Sequence, residues 1–170
     1  MMSDEQKAKS SRLRRQRGYN WEDLLVKRFN CVDGWSAFRL GSPSIGLPDV
    51  LAVNNDQSSI FVIEAKSGSK TSLSVPPNQI IRCQEWCNTL RAYQKRQVVL
   101  AFKFLSKKRI GTDRYRSRTL HEYYKIWDPA IEPSVCVCSY DGDVYTLADK
   151  VRTIIPLKDC QMPFQSQLNF

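Results

Sequence analysis

The sequence predicts an α/β domain built on a mixed central β-sheet with helices on its faces, together with a basic N-terminal arm and a C-terminal annex. Three observations lead to this fold class. The chain has 170 residues, enough for one sizeable hydrophobic core and few for two. Helix-like and strand-like segments follow in the order helix, three strands, helix, two strands, and no internal repeat interrupts them. We therefore divide the chain into an arm (residues 1–17), a folded domain (18–128) and an annex with a tail (129–170).

The first predicted helix follows a polar and cationic stretch. Residues 1–17 end in RLRRQR, and we expect them to form a mobile basic arm. From Asn20 the pattern changes, because Trp21, Leu25 and Phe29 recur at helical spacing and Asn20 is a favourable N-cap. This helix is expected to end between residues 31 and 34.

A β-hairpin is the best interpretation of residues 49–65. Its two flanks, DVLAV and IFVIEA, are rich in β-branched residues, and the polar segment NNDQSS between them favours a turn. The preceding SAFRL is a short strand candidate, and GSPSIGLP between that strand and the hairpin reads as a loop. The segment SGSKTSLSVPP after the hairpin is predicted to be another loop, whose prolines favour a helix start.

The second half of the predicted domain consists of a helix and two strands. The helix runs from about Asn78 to Tyr93, with Ile80, Cys83 and Cys87 on one face. QVVLAFKFL is nearly all apolar and predicts a central strand covered on both faces, whereas LHEYYKIW predicts an aromatic strand. The segment between them, SKKRIGTDRYRSRT, is predicted to be a basic loop.

The annex after Pro129 carries weaker signals. SVCVCSY followed by the turn DGD suggests a strand and a reversal of the chain. TLADKVRTI is predicted to be a short helix, because Thr146 and Asp149 stand at the spacing of a capping box.

The charge balance favours a polyanionic partner. Lysine and arginine number 26 against 17 acidic residues, a net charge of +9. Merely basic surface chemistry is the simpler alternative. No apolar run is long enough for a transmembrane helix, and the N-terminal segment lacks the apolar region of a secretory signal. We therefore expect no membrane association and a cytoplasmic protein associated with the nucleoid.

The six cysteines are predicted to be free thiols. Their spacing matches helix and strand patterns, no C-x-x-C motif occurs, and His121 is the single histidine. A structural zinc site and a disulfide framework are therefore disfavoured, as expected for a reducing compartment.

Charged residues at the ends of the predicted hairpin are the strongest chemical signal. Glu64 and Lys66 are two residues apart on one strand, so their side chains leave from the same face. Asp49 begins the neighbouring strand and is expected to lie beside Glu64. Two carboxylates at such a distance repel each other unless a cation lies between them, and Mg²⁺ suits oxygen ligands of this kind. The alternative is an ordinary Glu64–Lys66 ion pair, with Asp49 capping a turn.

The segments around these residues resemble a known enzyme family. The PD and E-A-K sequences match the signature of the PD-(D/E)xK nuclease superfamily, a short motif with many false positives. In order and spacing, five runs between about residues 17 and 127 resemble the archaeal Holliday junction resolvase family: RGYNWEDLLVKRF, FRLGSPSIGLPDVLAV, FVIEAKSG, PPNQIIRCQEWCNTL and VVLAFKF.

The resemblance implies a restriction-endonuclease-like core and a homodimer that cuts four-way DNA junctions with Mg²⁺, for which Mn²⁺ is expected to substitute. It implies metal binding by Asp49 and Glu64, with the Ala65 carbonyl as a further ligand, and assistance to the nucleophile by Lys66. By the same resemblance, Glu22 supports the metal directly or through water, whereas its place in the first turn of a helix is a simpler explanation. The family pattern also brings in Ser42, which follows Gly41 in the loop, and Gln79 at the start of the second helix. Either residue has a structural alternative, in shaping the loop or starting the helix.

Candidate DNA contacts lie in three places. The arm contributes arginines, Arg39 stands beside the Gly-Ser loop, and the segment from Lys107 to Arg118 is more cationic than the resemblance suggests. Each alone is more simply a solvated surface charge. The candidates are Arg12, Arg14, Arg15, Arg17, Arg39, Lys107, Lys108 and Arg109.

The C-terminal tail and the exact substrate leave alternatives open. Gln165, Leu168 and Phe170 resemble an incomplete version of the peptide that docks on sliding clamps. A related nuclease that cuts duplex or flap DNA, and a catalytically silent DNA-binding module, remain alternatives to a junction resolvase.

Overall fold

The predicted mixed sheet with helices on both faces is confirmed. The computed structural model describes residues 3–40 and 46–167. Its main sheet has six strands in the order β1-β2-β3-β5-β8-β12. The elements are α1 (Asp4–Asn30), β1 (Ser36–Arg39), β2 (Val50–Asn54), β3 (Ser59–Gly68), β4 (Ser72–Val75), α2 (Pro77–Thr89), β5 (Lys95–Phe104), β6 (Lys107–Arg109), β7 (Tyr115–Ser117), β8 (His121–Ile126), β9 (Cys136–Ser139), β10 (Val144–Ala148), β11 (Val151–Ile154), β12 (Lys158–Asp159) and a 3₁₀ helix (Pro163–Gln167).

The β2–β3 hairpin sets the positions of the acidic residues. The two strands pair antiparallel, with Val50 opposite Ile63. Residue 49 therefore falls beside residue 64, where the sequence predicts a pair of carboxylates. Val50 and Ile63 are fully buried, so apolar packing holds this register.

The centre of the sheet is the parallel pair of β3 and β5, joined along ten residues of each strand. Strand β5 is buried on both faces from Val98 to Phe102, as its near-continuous apolar sequence predicts. Helix α2 forms the crossover between these two strands and lies on one face of the sheet, while α1 covers the other face.

Each face of the main sheet carries its own apolar cluster. One cluster joins Trp21, Leu25 and Phe29 of α1 to the sheet and to the C-terminal residues Met162 and Phe164. The other joins α2 to a second, four-stranded sheet with the order β11-β10-β9-β4. The annex is thus part of both cores.

The prediction that the first helix starts at Asn20 is wrong, because most of the expected basic arm is helical. Helix α1 begins at Asp4 and runs without interruption for 27 residues. Ser3 and Gln6 form a reciprocal capping box at its start, and Asp4 and Glu5 lie in the first turn, where carboxylates stabilise a helix. The stretch between residues 4 and 20 lacks an apolar stripe, which is why its helical character was missed.

Other predictions of local structure are corrected as well. TLADKVRTI is not a helix but the β10–β11 hairpin, whose turn residues Asp149 and Lys150 both have positive φ. The basic segment forms the β6–β7 hairpin, and part of the loop before α2 is strand β4. Helix α2 ends at Thr89 and not at Tyr93. Among the described residues, no helix is long and apolar enough to cross a membrane.

Candidate active site

Asp49 and Glu64 meet at one end of the β2–β3 hairpin. The Ala65 backbone amide donates a hydrogen bond of 2.8 Å to Asp49 Oδ2, so Asp49 is tied to β3 and not to a turn of its own. Glu64 is almost completely buried, with 1% of its surface exposed. In an extended strand, the N–H and C=O of one residue point to the same side, so the Ala65 carbonyl also faces the side of Asp49. Asp49 and Glu64 therefore lie side by side, as the hairpin register predicts.

Glu64 is held between two cations. Lys66 Nζ lies 2.8 Å from Glu64 Oε1, and a guanidinium nitrogen of Arg82 lies 2.7 Å from Oε2. A buried carboxylate without such partners would be strongly disfavoured. Arg82 was missed in the sequence, although it stands three residues after Gln79 and hence on the same side of α2.

Glu22 lies in α1, on the opposite side of the sheet from α2, and is buried apart from 8% of its surface. Burial, followed by repulsion from Asp49, raises the pKa of Glu22 to about 7, while Arg39 acts in the lowering direction. Burial and then repulsion from Glu64 raise the pKa of Asp49 to about 6, although the Ala65 amide lowers it. Burial and acidic neighbours thus both disfavour the charged forms of Glu22 and Asp49.

These residues fit a divalent, oxygen-seeking cation. Burial is the largest cause of the raised pKa values of Glu22 and Asp49, and repulsion from acidic neighbours adds to it; a bound cation would relieve that repulsion. Within residues 3–40 and 46–167, no group of three or more acidic, histidine or cysteine side chains is close enough to enclose a metal. Mg²⁺ commonly takes only one or two carboxylates and fills its other positions with water and phosphate oxygens, so Asp49 and Glu64 suffice. A direct metal contact by Glu22 remains a prediction.

Gln79 lies in the first turn of α2, three residues before Arg82 and hence on the same side of the helix. Its Oε1 atom is buried without a hydrogen-bond partner, and so is Nε of Arg82. A buried polar atom without a partner is costly, so these two positions suit a bound water or substrate atom. Gly41 and Ser42 lie outside the described residues, and the role of Ser42 is untested.

The predicted DNA contacts do not form one surface. Arg39 forms an ion pair of 3.4 Å with Asp23 and lies over the ring of Tyr19, 5.0 Å from its centre. On α1, Arg14 and Arg17 face a groove beside β3, whereas Arg12 and Arg15 are not among its lining residues.

The two faces of the β6–β7 hairpin separate its cations in the same way. Arg109 lines the groove with Arg14 and Arg17. Lys108 lines a different cavity, together with Arg116 and Tyr140. Lys107 is two residues from Arg109 on β6, so its side chain leaves from the same face of the strand, and it is exposed.

The C-terminal residues are partly committed to the core. Met162 and Phe164 are buried, and the Gln165 side chain accepts a hydrogen bond of 2.7 Å from the Met162 amide. Leu168 and Phe170 lie outside the described residues.

Comparisons with known proteins identify the family of this chain. A model of the archaeal Holliday junction resolvase family matches residues 13–126, more than half of the chain. A solved structure of Hjc from Archaeoglobus fulgidus, a Holliday junction resolvase from an archaeal hyperthermophile, matches with a TM-score of 0.45 and 15% sequence identity, covering 73% of this chain and 89% of that one. No curated protein matches the sequence significantly. On the extent of the family match, the chain belongs to the archaeal Holliday junction resolvase family of endonucleases.

Proposed function

We propose that this protein resolves four-way DNA junctions by Mg²⁺-dependent hydrolysis at the site of Asp49, Glu64 and Lys66. The family supplies the reaction and the junction substrate. The observation that carries the assignment of the site is the buried Glu64 beside Asp49, with Lys66 2.8 Å away. Three residues of the required types thus meet at the end of one hairpin.

Asp49, Glu64 and the Ala65 carbonyl would hold the cation. Bound there, Mg²⁺ would polarise the scissile phosphate and stabilise the negative charge that develops during hydrolysis. Lys66 reaches the same place from β3 and would neutralise part of the phosphate charge. Glu22 is buried and close enough to Asp49 for the two charges to interact, so it would support the cation directly or through a bound water.

The test compares a labelled four-way junction with a duplex of matched sequence, each in Mg²⁺ and in chelator. We expect cleavage of the junction in Mg²⁺ only. Equal cutting of both substrates would favour a less selective nuclease, and absence of cutting would refute the proposal.

Asp49→Asn tests the assignment of the site. It should reduce cleavage by at least about a hundredfold and leave junction affinity within a few fold, because it removes a proposed metal ligand and no phosphate contact. Ser139→Ala, a substitution in the second sheet, serves as a control for handling and folding. A variant Asp49→Asn that cleaves normally would exclude Asp49 as a ligand.

Three further proposals accompany this function: a homodimer, association with the nucleoid, and a contact with a sliding clamp. Cutting two opposed strands of one junction is simplest for a homodimer with two sites, which analytical ultracentrifugation of the free protein would detect. An exclusively monomeric protein that nevertheless cuts both strands would contradict it. The net charge of +9 supports association with the nucleoid.

The tail is proposed to dock on a sliding clamp through Gln165, Leu168 and Phe170. A truncation after residue 167 removes two of these residues and spares the buried Phe164. It should lose clamp binding in a pull-down while keeping junction cleavage, and full clamp binding by the truncated protein would refute this contact.

A further inference from the structure

A cationic groove runs from the acidic site between two walls. Its floor is the stretch of β3 and β4 from Lys66 to Ser74, one wall is the first half of α1, and the other is the tip of the β6–β7 hairpin. The groove has a volume of about 660 Å³. Lys66 belongs both to this floor and to the ion pair with Glu64, so it links one end of the groove to the site.

The lining of the groove is strongly basic. It includes one acidic residue, Asp113, and six cations: Lys9, Arg14, Arg17, Lys66, Lys70 and Arg109. Serine hydroxyls of the floor add neutral hydrogen-bond donors. Phosphate groups are bound by such a combination of lysine, arginine and hydroxyl groups without regard to base sequence.

Both walls are bonded to the floor. The Ser67 hydroxyl donates to the Arg17 carbonyl at 3.3 Å, which attaches α1, and the Arg109 amide donates to the Ser69 carbonyl at 2.9 Å, which attaches the hairpin. Arg118 donates to the Leu105 and Lys70 carbonyls, at 2.8 and 3.0 Å. These bonds pre-form the groove, which reduces the entropy lost when a ligand binds.

The helical wall presents a single stripe of residues. Positions 6, 9, 10, 13, 14 and 17 line the groove, with the spacing of three and four that defines one helix face. Leu13 on this stripe is 51% exposed, and Tyr115 on the opposite wall is 46% exposed. Exposed apolar and aromatic groups among cations suit a ligand that has sugar and base surfaces as well as phosphates.

We propose that this groove binds the sugar-phosphate backbone of the DNA strand that is cut, on one side of the scissile phosphate. The proposal rests on the proposed function, because it places the cleaved phosphodiester at Lys66. It assigns DNA contacts to Lys9 and Lys70 as well as to Arg14 and Arg17. Arg109 contributes fewer free donors, since its guanidinium also bonds the Gly111 and Thr112 carbonyls.

The test compares two double variants on the same helix. Arg14→Ala with Arg17→Ala removes two cations that line the groove, whereas Arg12→Ala with Arg15→Ala removes two that do not. Binding of a fluorescent four-way junction is measured in chelator at several salt concentrations. The slope of log K against log[salt] is negative, and the first variant should make it shallower by about 2, near 0.9 for each lost phosphate contact. It should also weaken binding at least about tenfold.

The second variant should change the slope by less than half as much. Equal effects of the two pairs would overturn the groove and indicate a diffuse basic helix. Circular dichroism and thermal unfolding of both variants would check the fold, which alanine in a helix should not disturb.

A substitution in the floor of the groove provides a test that does not depend on α1. Lys70→Ala should make the negative slope of log K against log[salt] shallower by about 1, and an unchanged slope would exclude Lys70 as a contact. Failure of the two proposals is distinguishable. A wild-type protein that does not cut junctions would refute the proposed function, whereas a cutting protein whose paired variants bind alike would refute only the groove.

Discussion

Glu64 is the residue around which the site is organised. Its carboxylate is removed from solvent, paired with Lys66 and Arg82, and adjacent to Asp49. A buried charge of this kind is stable only because cations from two elements compensate it. A divalent ion bound by Asp49 and Glu64 would therefore compete with Lys66 and Arg82 for the Glu64 carboxylate.

Arg82→Ala should destabilise the metal-free protein by about 2 kcal/mol, because Glu64 then keeps only one cationic partner. Mg²⁺ should restore part of this loss by supplying the missing positive charge. Urea unfolding with Mg²⁺ and with chelator measures both quantities. Arg82→Lys, which keeps the charge, should lose less, and an Arg82→Ala loss that Mg²⁺ leaves unchanged would argue against ion binding beside Glu64.

Glu22 makes stability depend on pH. Its folded-state pKa of about 7 exceeds the unfolded value of 4.5, so between these values the folded protein holds more protons and loses stability as the pH rises. Asp49 contributes with the same sign up to about pH 6. Glu22→Gln cannot ionise and should therefore stabilise the metal-free protein at pH 8 by about 1–3 kcal/mol, with little effect at pH 4.5. Unfolding in urea at the two pH values tests this, and an equal effect at both would contradict it.

At this scale, sequence reasoning finds the residues whose chemistry is distinctive. Asp49, Glu64 and Lys66 stand out because carboxylates and a lysine interrupt apolar strands. Arg82 does not, because an arginine in a helix is ordinary until the structure shows which carboxylate it faces. The separation of Arg14 from Arg12 likewise depends on knowing that the segment is helical.

Helix α1 shows most clearly what an element adds to its residues. Its second half has the apolar stripe that predicts a helix, while its first half has no such stripe and is stabilised at its start by the capping box of Ser3 and Gln6. The β2–β3 hairpin was predicted correctly because its flanks and turn agree. The β10–β11 hairpin was missed because Thr146 and Asp149 match a helix cap as well as they match a strand and its turn.

Gly18 lies inside α1, after the last residue that lines the groove, Arg17, and before the first residue that packs in the core, Trp21. A Cβ atom built there meets nothing within 4 Å, and its φ is not in the left-handed region. Gly18→Ala should therefore stabilise the protein by about 1 kcal/mol and raise the thermal midpoint by about 2–4 °C.

Gly142→Ala is the matched control for this change. Gly142 has a φ of +91°, and its added Cβ would lie 2.7 Å from the Tyr123 ring, so this variant should unfold at a lower temperature. A lower midpoint for Gly18→Ala would mean that α1 requires the glycine.

The whole molecule has two cores on either side of one sheet, and five of its six cysteines belong to them. All six are free, and five are buried, while Cys31 is exposed. Burial raises the pKa of the Cys87 and Cys160 thiols to about 11 and that of Cys136 and Cys138 to about 12. The interpretation of the cysteines as packing residues agrees with the five buried positions and not with Cys31.

Brief alkylation of the native protein should therefore label one cysteine, Cys31, and alkylation in denaturant should label six. Mass spectrometry of the intact protein counts the labels, and Cys31→Ser should abolish the native label. Rapid labelling of two or more sites under native conditions would contradict the buried cores.

Because α1 is uninterrupted, the helix face that lines the groove has a fixed rotation relative to the face that packs beside the acidic site. The stripe that ends at Arg17 continues, one turn later, as the buried stripe of Trp21 and Leu25, with Glu22 beside it. One extra residue between Arg17 and Trp21 would rotate the first half by roughly 100° against the second. The core would remain intact while the groove side chains turned away from β3, so the unbroken helix keeps the proposed DNA contacts aligned with the carboxylates.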